Sequence, residues 1–275
     1  MGEPSIRLGT SAFTAAGWPG TFYPAELKPA EYLSFYAQHF DIVEVDSTFY
    51  RTPSPSTVRG WYAKTPRGFV FAAKVPQTIT HEKVLVDCQD DLSQFLKTMD
   101  TLREKLGPLL FQFPYFNRTK FKSGGEFVSR LRPFLKALPK GYRLAVEVRN
   151  KSWLDAGLAG ALAERNVALT LVDHVWMPRP RELFEKFDPI TADFTYIRWL
   201  GDRKGIEEKT KIWDKTIVNR ERDLEEWVEA CRKFNQRNIA IFGFANNHYA
   251  GHAPATVRLF QELWRKTKPV AERPK

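Results

Sequence analysis

The chain has 275 residues, of which 43% are hydrophobic and 14% aromatic, so it can bury a large core in one or two domains. Its 42 Lys and Arg against 32 Asp and Glu give a net charge of +10, which suits a solvated basic surface or attraction to a polyanion or phosphorylated substrate. Cys88 and Cys231 lie far apart and outside any CxxC motif, which argues against a disulfide framework or a zinc knuckle.

Short apolar runs alternate with amphipathic segments along the whole chain. The predicted strands are 6–9, 42–45, 69–74, 109–112, 143–148, 168–172, 195–199 and 239–244. The predicted helices are 29–39, 55–64, 89–106, 126–138, 154–165, 181–187, 220–236 and 254–266. This strict alternation predicts an α/β fold, a single (β/α)8 TIM-type barrel over residues 1–275. An open doubly wound sheet is the alternative, but no Gly-rich GxGxxG turn follows the first strand.

The second predicted strand carries carboxylates among valines. Strand alternation puts Glu44 and Asp46 on the same face as Ile42. An ionised carboxylate away from water is costly unless it is paired, hydrogen-bonded or bound to a metal. The fifth predicted strand repeats the pattern, with Glu147 and Arg149 sharing a face. The two strands together therefore predict a site.

Polar residues gather where the predicted strands end, whereas the strand starts are mostly apolar. In a (β/α)8 barrel the active site lies at the carboxyl ends of the strands. We therefore predict a single polar mouth, to which the strand ends contribute Thr10, Ser11, Glu44, Asp46, Tyr50, Arg51, Lys74, Thr80, His81, Gln112, Glu147, Arg149, Asp173, His174, Arg198, Trp199, Asn246, Asn247 and His248.

Short motifs recur in order along nearly the whole chain. They include GTS at 9–11, FYP at 22–24, VEV at 43–45, FYR at 49–51, ITH at 79–81, KLG at 105–107, VE at 146–147, TAD at 191–193, YIR at 196–198 and NNH at 246–248. In these motifs the chain resembles the YecE-like family, domain of unknown function 72. The resemblance implies a TIM-barrel-like fold and no particular reaction. The chain departs from the family pattern at Asp46, where Asn is usual, and at Asn150, where His is usual.

Four residues of the mouth are candidates for catalysis. They are Glu44, Glu147, His81 and Asp46. A carboxylate in an apolar pocket has a raised pKa while one beside an arginine stays ionised, so such a pair suits acid/base chemistry, and histidine suits proton transfer near neutral pH. The alternative is an interior ion network, in which Lys74, Arg149 and Arg198 only neutralise the acids.

A second group of residues is predicted to bind the substrate. It consists of Lys74, Arg149, Arg198, Tyr50, Arg51, Gln112, Asn246, Asn247 and His248. Nearby aromatic residues could stack on bases or sugars, or could plug the barrel mouth. These residues are Tyr23, Phe49, Tyr50, Trp153, Trp199 and Tyr249. Acids and histidines on separate loops make a divalent metal ion a candidate cofactor, although no HExxH or His-x-His spacing supports it.

The charges at the mouth predict an enzyme that acts on an anionic, phosphate-bearing substrate, such as a phosphodiester or a nucleic acid. The chemistry would be acid/base or metal-assisted hydrolysis. The alternative is a non-catalytic nucleic-acid or phosphometabolite binding protein that uses the basic loop 203–215. The apolar runs are too short to span a membrane and no signal pattern opens the chain, so we expect a cytoplasmic protein without a membrane partner. The oligomeric state stays open.

Overall fold

Eight parallel strands form the centre of the molecule, for which the computed structural model describes residues 6–267. They are β1 (Ile6–Thr10), β2 (Ile42–Val45), β3 (Val70–Lys74), β4 (Leu106–Gln112), β5 (Leu144–Glu147), β6 (Val167–His174), β7 (Phe194–Gly201) and β8 (Ala240–Ala245). Their pairing order is β1-β8-β7-β6-β5-β4-β3-β2. The predicted (β/α)8 barrel is confirmed, and the open doubly wound alternative is wrong.

The helices surround the strands in the order expected for crossover connections. They are α1 (Tyr32–Tyr36), α2 (Pro55–Ala63), α3 (Gln89–Met99), α4 (Gly124–Ala137), α5 (Ala156–Ala163), α6 (Pro180–Lys186), α7 (Arg203–Glu207), α8 (Glu221–Gln236), α9 (Asn247–Ala250) and α10 (Ala253–Lys266). The sequence patterns do not predict α7 and α9, which have only five and four residues.

The segment that joins α3 to β4 differs from its prediction. The chain leaves the α-helical conformation at Met99 and continues as a 3-10 turn, in which Arg103 adopts φ 50° and ψ −126°. Strand β4 then begins at Leu106 instead of residue 109. Gly107 permits this early pairing, because a Cβ there would lie 2.4 Å from the Val70 side chain and 3.1 Å from the Phe71 carbonyl oxygen.

A tyrosine hydroxyl joins β1 and β2, the first and last strands of the pairing order. Tyr36 Oη accepts a hydrogen bond from the Thr10 backbone N–H at 2.9 Å and donates to the Ile42 carbonyl at 3.0 Å. It therefore bridges β1 and β2 where backbone groups would otherwise pair. Gly9 makes this approach possible, since a Cβ at that position would lie 2.1 Å from the Ile42 oxygen.

The barrel interior is apolar towards the amino ends of the strands. The buried interior side chains include Ile42, Val70, Ala72, Leu110, Ala145, Ala168, Phe194, Tyr196, Phe242 and Phe244. Because side chains two residues apart share a face, the next inward position on each strand lies two residues closer to its carboxyl end. On five strands that position is polar and buried: Glu44, Lys74, Gln112, Glu147 and Arg198. The alternation of side chains along the strands thus places five polar groups at the carboxyl end of the barrel interior.

The outward faces of the strands pack against the helices in a second, larger core. Cys88 and Cys231 are free and buried in this core, and burial raises the pKa of both thiols. In the part of the chain that the structure describes, no helix is both long and apolar enough to cross a membrane.

Candidate functional site

A single guanidinium group joins the two glutamates inside the mouth. Arg198 Nη2 donates to Glu44 Oε1 at 2.7 Å, and Arg198 Nη1 donates to Glu147 Oε2 at 3.0 Å. Tyr196, two residues earlier on β7, donates its hydroxyl to Glu44 Oε2 at 2.6 Å. All four side chains are buried, so every charge in the group depends on its neighbours for solvation.

The pKa values of the two carboxylates are shifted in opposite directions. Burial raises the pKa of Glu44, and Arg198 opposes this only in part. Burial also acts to raise the pKa of Glu147, but Arg149, Arg198 and Lys74 together overcome it and hold that pKa at about 2. Glu147 is therefore the firmly ionised member of the pair.

Two cations extend the network towards solvent. Arg149 Nε donates to Glu147 Oε1 at 2.6 Å, and its side chain is 23% exposed. Lys74, at the end of β3, places its ammonium nitrogen 3.7 Å from Asp46 Oδ1 and 3.6 Å from the centre of the Phe49 ring. Burial, reinforced by Arg198, lowers the pKa of Lys74, although Asp46 acts in the opposite direction.

Asp46 is more exposed than the two glutamates of the mouth. It begins a 3-10 turn, Asp46–Phe49, which Thr48 fixes to β3 by donating its hydroxyl to the Lys74 carbonyl at 2.7 Å. Its Oδ1 atom is buried and accepts no hydrogen bond from any described residue, while the side chain as a whole is 36% exposed. Arg198 Nη2 lies 3.8 Å from the same oxygen. Asp46 therefore has an unused acceptor directed at cations and an open side towards water.

His81 lies beside this group on the loop after β3. Its ring contacts Phe49 edge-on with centroids 4.8 Å apart, and its Nδ1 is hydrogen-bonded to the Thr80 hydroxyl at 2.8 Å. Burial, with the nearby charges of Lys74 and Arg149, lowers the pKa of His81 to about 4. The imidazole is therefore neutral at neutral pH.

The loop that carries His81 has an unusual backbone. Residues Thr78–Glu82 form a π-helical turn, and positive φ angles follow at Val84 (47°), Leu85 (68°) and Asp87 (48°). Positive φ is costly for a β-branched residue such as Val84, and strained segments of this kind cluster at functional sites. This strain makes the β3 loop a candidate part of the site.

The polar residues that follow β8 are bound to the scaffold. Asn246 donates to the Ser11 hydroxyl at 2.8 Å, joining β8 to β1. Asn247 accepts from the Ala253 backbone N–H at 2.9 Å and from Trp18 Nε1 at 3.2 Å, so it fixes the start of α10. His248 Nε2 is paired with Glu207 Oε1 at 2.9 Å.

The remaining predicted site residues divide between the mouth and its surroundings. Gln112 is paired in register with Glu147, and its side-chain amide donates to the Phe113 carbonyl. Thr10 and Ser11 lie at the seam of the barrel. Tyr50 and Arg51 are exposed on the loop after β2. They surround the charged group but do not bond to it.

Two residues predicted at the mouth point away from it. Asp173 accepts hydrogen bonds from Arg179, from Trp227 at 2.7 Å and from Tyr249 at 3.0 Å, between the barrel and α8. Trp199 is fully buried against the Trp227 and Phe260 rings. Their placement in the mouth is wrong because both occupy outward positions of the strand alternation. His174, next to Asp173, occupies the inward position of the alternation, where the charges of Arg149 and Glu147 reach it.

No cluster of three or more His, Cys, Asp or Glu side chains suited to a metal ion occurs within residues 6–267.

Most of the aromatic residues predicted near the mouth are buried and pack in the interior of the protein. These are Tyr23, Phe49, Trp153, Trp199 and Tyr249. Tyr196 is a member of the site that appears above only in the YIR motif and not among the predicted site residues, although its position two residues before Arg198 on the same strand face is a usable signal.

The fold and the site define a TIM-type α/β barrel with a buried Glu–Arg–Glu network at its carboxyl-end mouth. The chain belongs to the family described as protein of unknown function DUF72, whose model matches residues 7–275. The resemblance to the YecE-like family that the sequence motifs indicate is thus confirmed at the level of the family.

Relatives match the chain over most of its length, and two solved structures share its fold. The UPF0759 protein YecE of Escherichia coli K12 is 28% identical over 255 residues, which cover 86% of this chain and 87% of YecE. The crystal structure of a DUF72 family protein from Thermotoga maritima is 28% identical with a TM-score of 0.74, covering 95% of this chain and 99% of that chain. A DUF72 family structure from Enterococcus faecalis, 21% identical, has a TM-score of 0.69 over 98% of this chain and 100% of its own.

Proposed function

We propose that this protein is an enzyme that binds an anionic, phosphate-bearing substrate at the carboxyl-end mouth of the barrel and hydrolyses it by acid/base chemistry. The observation that carries the proposal is the position of Lys74. Its ammonium group lies 3.7 Å from the Asp46 carboxylate, beyond hydrogen-bond distance, and it donates no hydrogen bond to any described residue. A mostly buried ammonium group whose ion pair with Asp46 is long and not hydrogen-bonded keeps its N–H donors available to an anionic ligand.

The buried network would hold the substrate-binding cations in place. Each oxygen of Glu44 and of Glu147 already accepts a hydrogen bond, so these acids serve best as positioning residues. Glu147 aligns Arg149, whose partly exposed guanidinium can bind a second phosphate oxygen. Lys74 and Arg149 would thus bind the phosphate from two sides of Glu147.

Asp46 would then act as the general base. It takes a proton from a water molecule that attacks phosphorus, while the Lys74 ammonium gives a proton to the leaving oxygen as the ester bond breaks. Transfer of the proton from Asp46 to the neutral Lys74 amine restores both groups. The lowered pKa of Lys74 favours its role as a proton donor.

The two alternatives from the sequence have less support. Metal-assisted hydrolysis needs a ligand cluster, and the described residues contain none. The basic loop 203–215 is partly neutralised, because Glu207 pairs with Arg203 at 2.8 Å and with Lys211 at 3.6 Å. In the mouth the Lys74 ammonium is buried and has only the 3.7 Å ion pair with Asp46, which favours the mouth as the anion site.

Hydrolysis of bis(4-nitrophenyl) phosphate and of 4-nitrophenyl phosphate tests the proposal. We expect Asp46→Asn to lower kcat by about 100-fold or more with little change in KM, and Lys74→Gln to lower kcat and raise KM. The matched controls are Asp90→Asn and Lys136→Gln, at exposed helical positions, which should behave like the wild type. Wild-type protein that hydrolyses neither ester, or site variants that match their controls, would refute the proposal.

A further inference from the structure

The large apolar side chains exposed by the described residues are concentrated on one side of the molecule. They are Tyr50, Val86, Tyr115, Val175, Trp176 and Ile212. Every one lies on a loop that follows a strand, and therefore on the side of the barrel where the charged mouth opens. Isolated exposed apolar residues need no explanation, but their restriction to this side does.

Three exposed aromatic residues alternate with cations around the mouth. Tyr50, Tyr115 and Trp176, which we call the aromatic rim, follow β2, β4 and β6 and are 72%, 70% and 73% exposed. Lys74 ends β3 and Arg149 follows β5, so one cation lies between each pair of rings along the strand order. With about 4.8 Å between strands, the arc from β2 to β6 spans about 19 Å.

The three rim residues adjoin fixed parts of the structure. The Tyr50 ring lies 5.2 Å from Phe49, the ring that also contacts the Lys74 ammonium.

Tyr115 precedes Phe116, whose backbone N–H and carbonyl are both hydrogen-bonded to the Asn150 side chain at 2.9 and 2.8 Å. The Trp176 backbone N–H donates to His174 Nδ1 at 3.3 Å. The backbone beside Tyr115 and at Trp176 is therefore fixed by hydrogen bonds, while both side chains are exposed.

The charge of the rim is complementary to a polyanion. The loop that carries Tyr115, residues 113–123, contains Arg118, Lys120 and Lys122 and no acidic residue. Arg51 directly follows Tyr50 and is exposed. Aromatic faces interleaved with cations at this spacing match a chain in which flat bases alternate with phosphates.

We propose that the aromatic rim is a stacking platform for single-stranded nucleic acid, whose bases lie on Tyr50, Tyr115 and Trp176 while a backbone phosphate reaches Lys74 and Arg149. This inference rests on the proposed function, because it identifies the phosphate-bearing ligand of the same mouth. An anionic membrane fits less well, since cations separate the rings along the strand order, whereas a lipid surface favours one continuous apolar face.

Fluorescence anisotropy with labelled dT20 and rU20 tests the inference, and the two oligonucleotides distinguish DNA from RNA. We expect binding that weakens steeply with salt and that quenches tryptophan fluorescence. Tyr50→Ala, Tyr115→Ala and Trp176→Ala should each weaken binding by about ten-fold. The control is Ile212→Ala, an exposed apolar side chain outside the arc, which should bind as the wild type does.

Three results would overturn the inference: no oligonucleotide binding at low salt, equal binding by the rim variants and the control, or rim-dependent binding to phosphatidylserine vesicles without binding to dT20 or rU20. Failure of the inference is distinguishable from failure of the proposed function. Wild-type protein that hydrolyses bis(4-nitrophenyl) phosphate but ignores both oligonucleotides refutes only the platform. Rim-dependent oligonucleotide binding without ester hydrolysis refutes only the catalytic proposal.

Discussion

Arg198 holds Glu44 through two nitrogens of one guanidinium, with Nε at 3.2 Å and Nη2 at 2.7 Å from the same Oε1 atom. Their side chains are only 4% and 0% exposed. Because the third nitrogen of this group binds Glu147, a single residue compensates two buried carboxylates. The mouth therefore depends on Arg198 more than on either acid.

Replacing Arg198 by methionine should destabilise the fold strongly. Both glutamates would lose their shared cation, and breaking a buried ion pair by removing one partner costs about 3–5 kcal/mol. The free energy of unfolding, measured in urea, checks this. The control is Arg132→Met at the half-exposed pair with Glu164, where the expected loss is below about 1 kcal/mol. Equal losses in the two variants would contradict a dependence on burial.

The seam between β1 and β2 should not tolerate a side chain at Gly9. An alanine Cβ would lie 2.1 Å from the Ile42 carbonyl oxygen, a backbone atom that cannot rotate away. We expect Gly9→Ala to lower the free energy of unfolding by about 3 kcal/mol or more. Gly60→Ala is the matched control, because α2 leaves open space there and alanine should stabilise the helix by about 0.5–1 kcal/mol. A neutral effect at Gly9 would mean that the two strands separate easily.

The Tyr36 hydroxyl should contribute to closing the barrel. Tyr36→Phe keeps the ring but leaves the Thr10 N–H and the Ile42 carbonyl without their partner, at a cost of about 1–3 kcal/mol. Faster hydrogen exchange of the Thr10 amide would accompany this loss. Tyr142→Phe, which removes an exposed hydrogen bond to Asp100, is the comparison and should cost less. Unchanged exchange at Thr10 would show that the hydroxyl does not bridge the strands.

The sequence predicts the barrel and the centre of its site because both follow from regular spacing. Period-two alternation brings Glu44 and Glu147 to the interior, and the same rule places Arg198 between them. Asp173 and Trp199 are misplaced when strand ends are treated as a group, without asking which side of the strand each residue occupies. The alternation itself contains the information needed to correct both.

The rest of the site lies beyond any periodic pattern. Tyr115 and Trp176 are on irregular loops, where no spacing rule says whether an aromatic ring is buried or exposed. Phe49 and Tyr50 are neighbouring aromatic residues that the sequence does not distinguish, yet the Phe49 ring is buried and the Tyr50 ring is 72% exposed. The π-helical turn at Thr78–Glu82 contains no Gly or Pro, and Pro76, which precedes it, indicates a turn but not its π-helical form. These features depend on tertiary contacts.

His81 should make the stability of the fold depend on pH in a definite direction. Its folded-state pKa of about 4 lies below the unfolded value of about 6.5. As the pH falls below about 6.5, the unfolded chain therefore takes up the proton first, and stability decreases until the folded-state pKa is reached. Because the ring is only half buried, we expect a loss of about 1 kcal/mol.

The variant His81→Gln should lack this loss of stability. The quantity to measure is therefore the difference in the free energy of unfolding between the variant and the wild type. Urea unfolding at pH 8 and at pH 4.5 gives that difference under two conditions, and the value at pH 8, where the imidazole is neutral in both states, is the internal control. The other histidines titrate alike in both proteins and therefore cancel. We expect the variant to gain about 1 kcal/mol relative to the wild type on going to pH 4.5. A difference that does not change with pH, or that changes in the opposite direction, would show that burial, Lys74 and Arg149 do not together oppose protonation of His81.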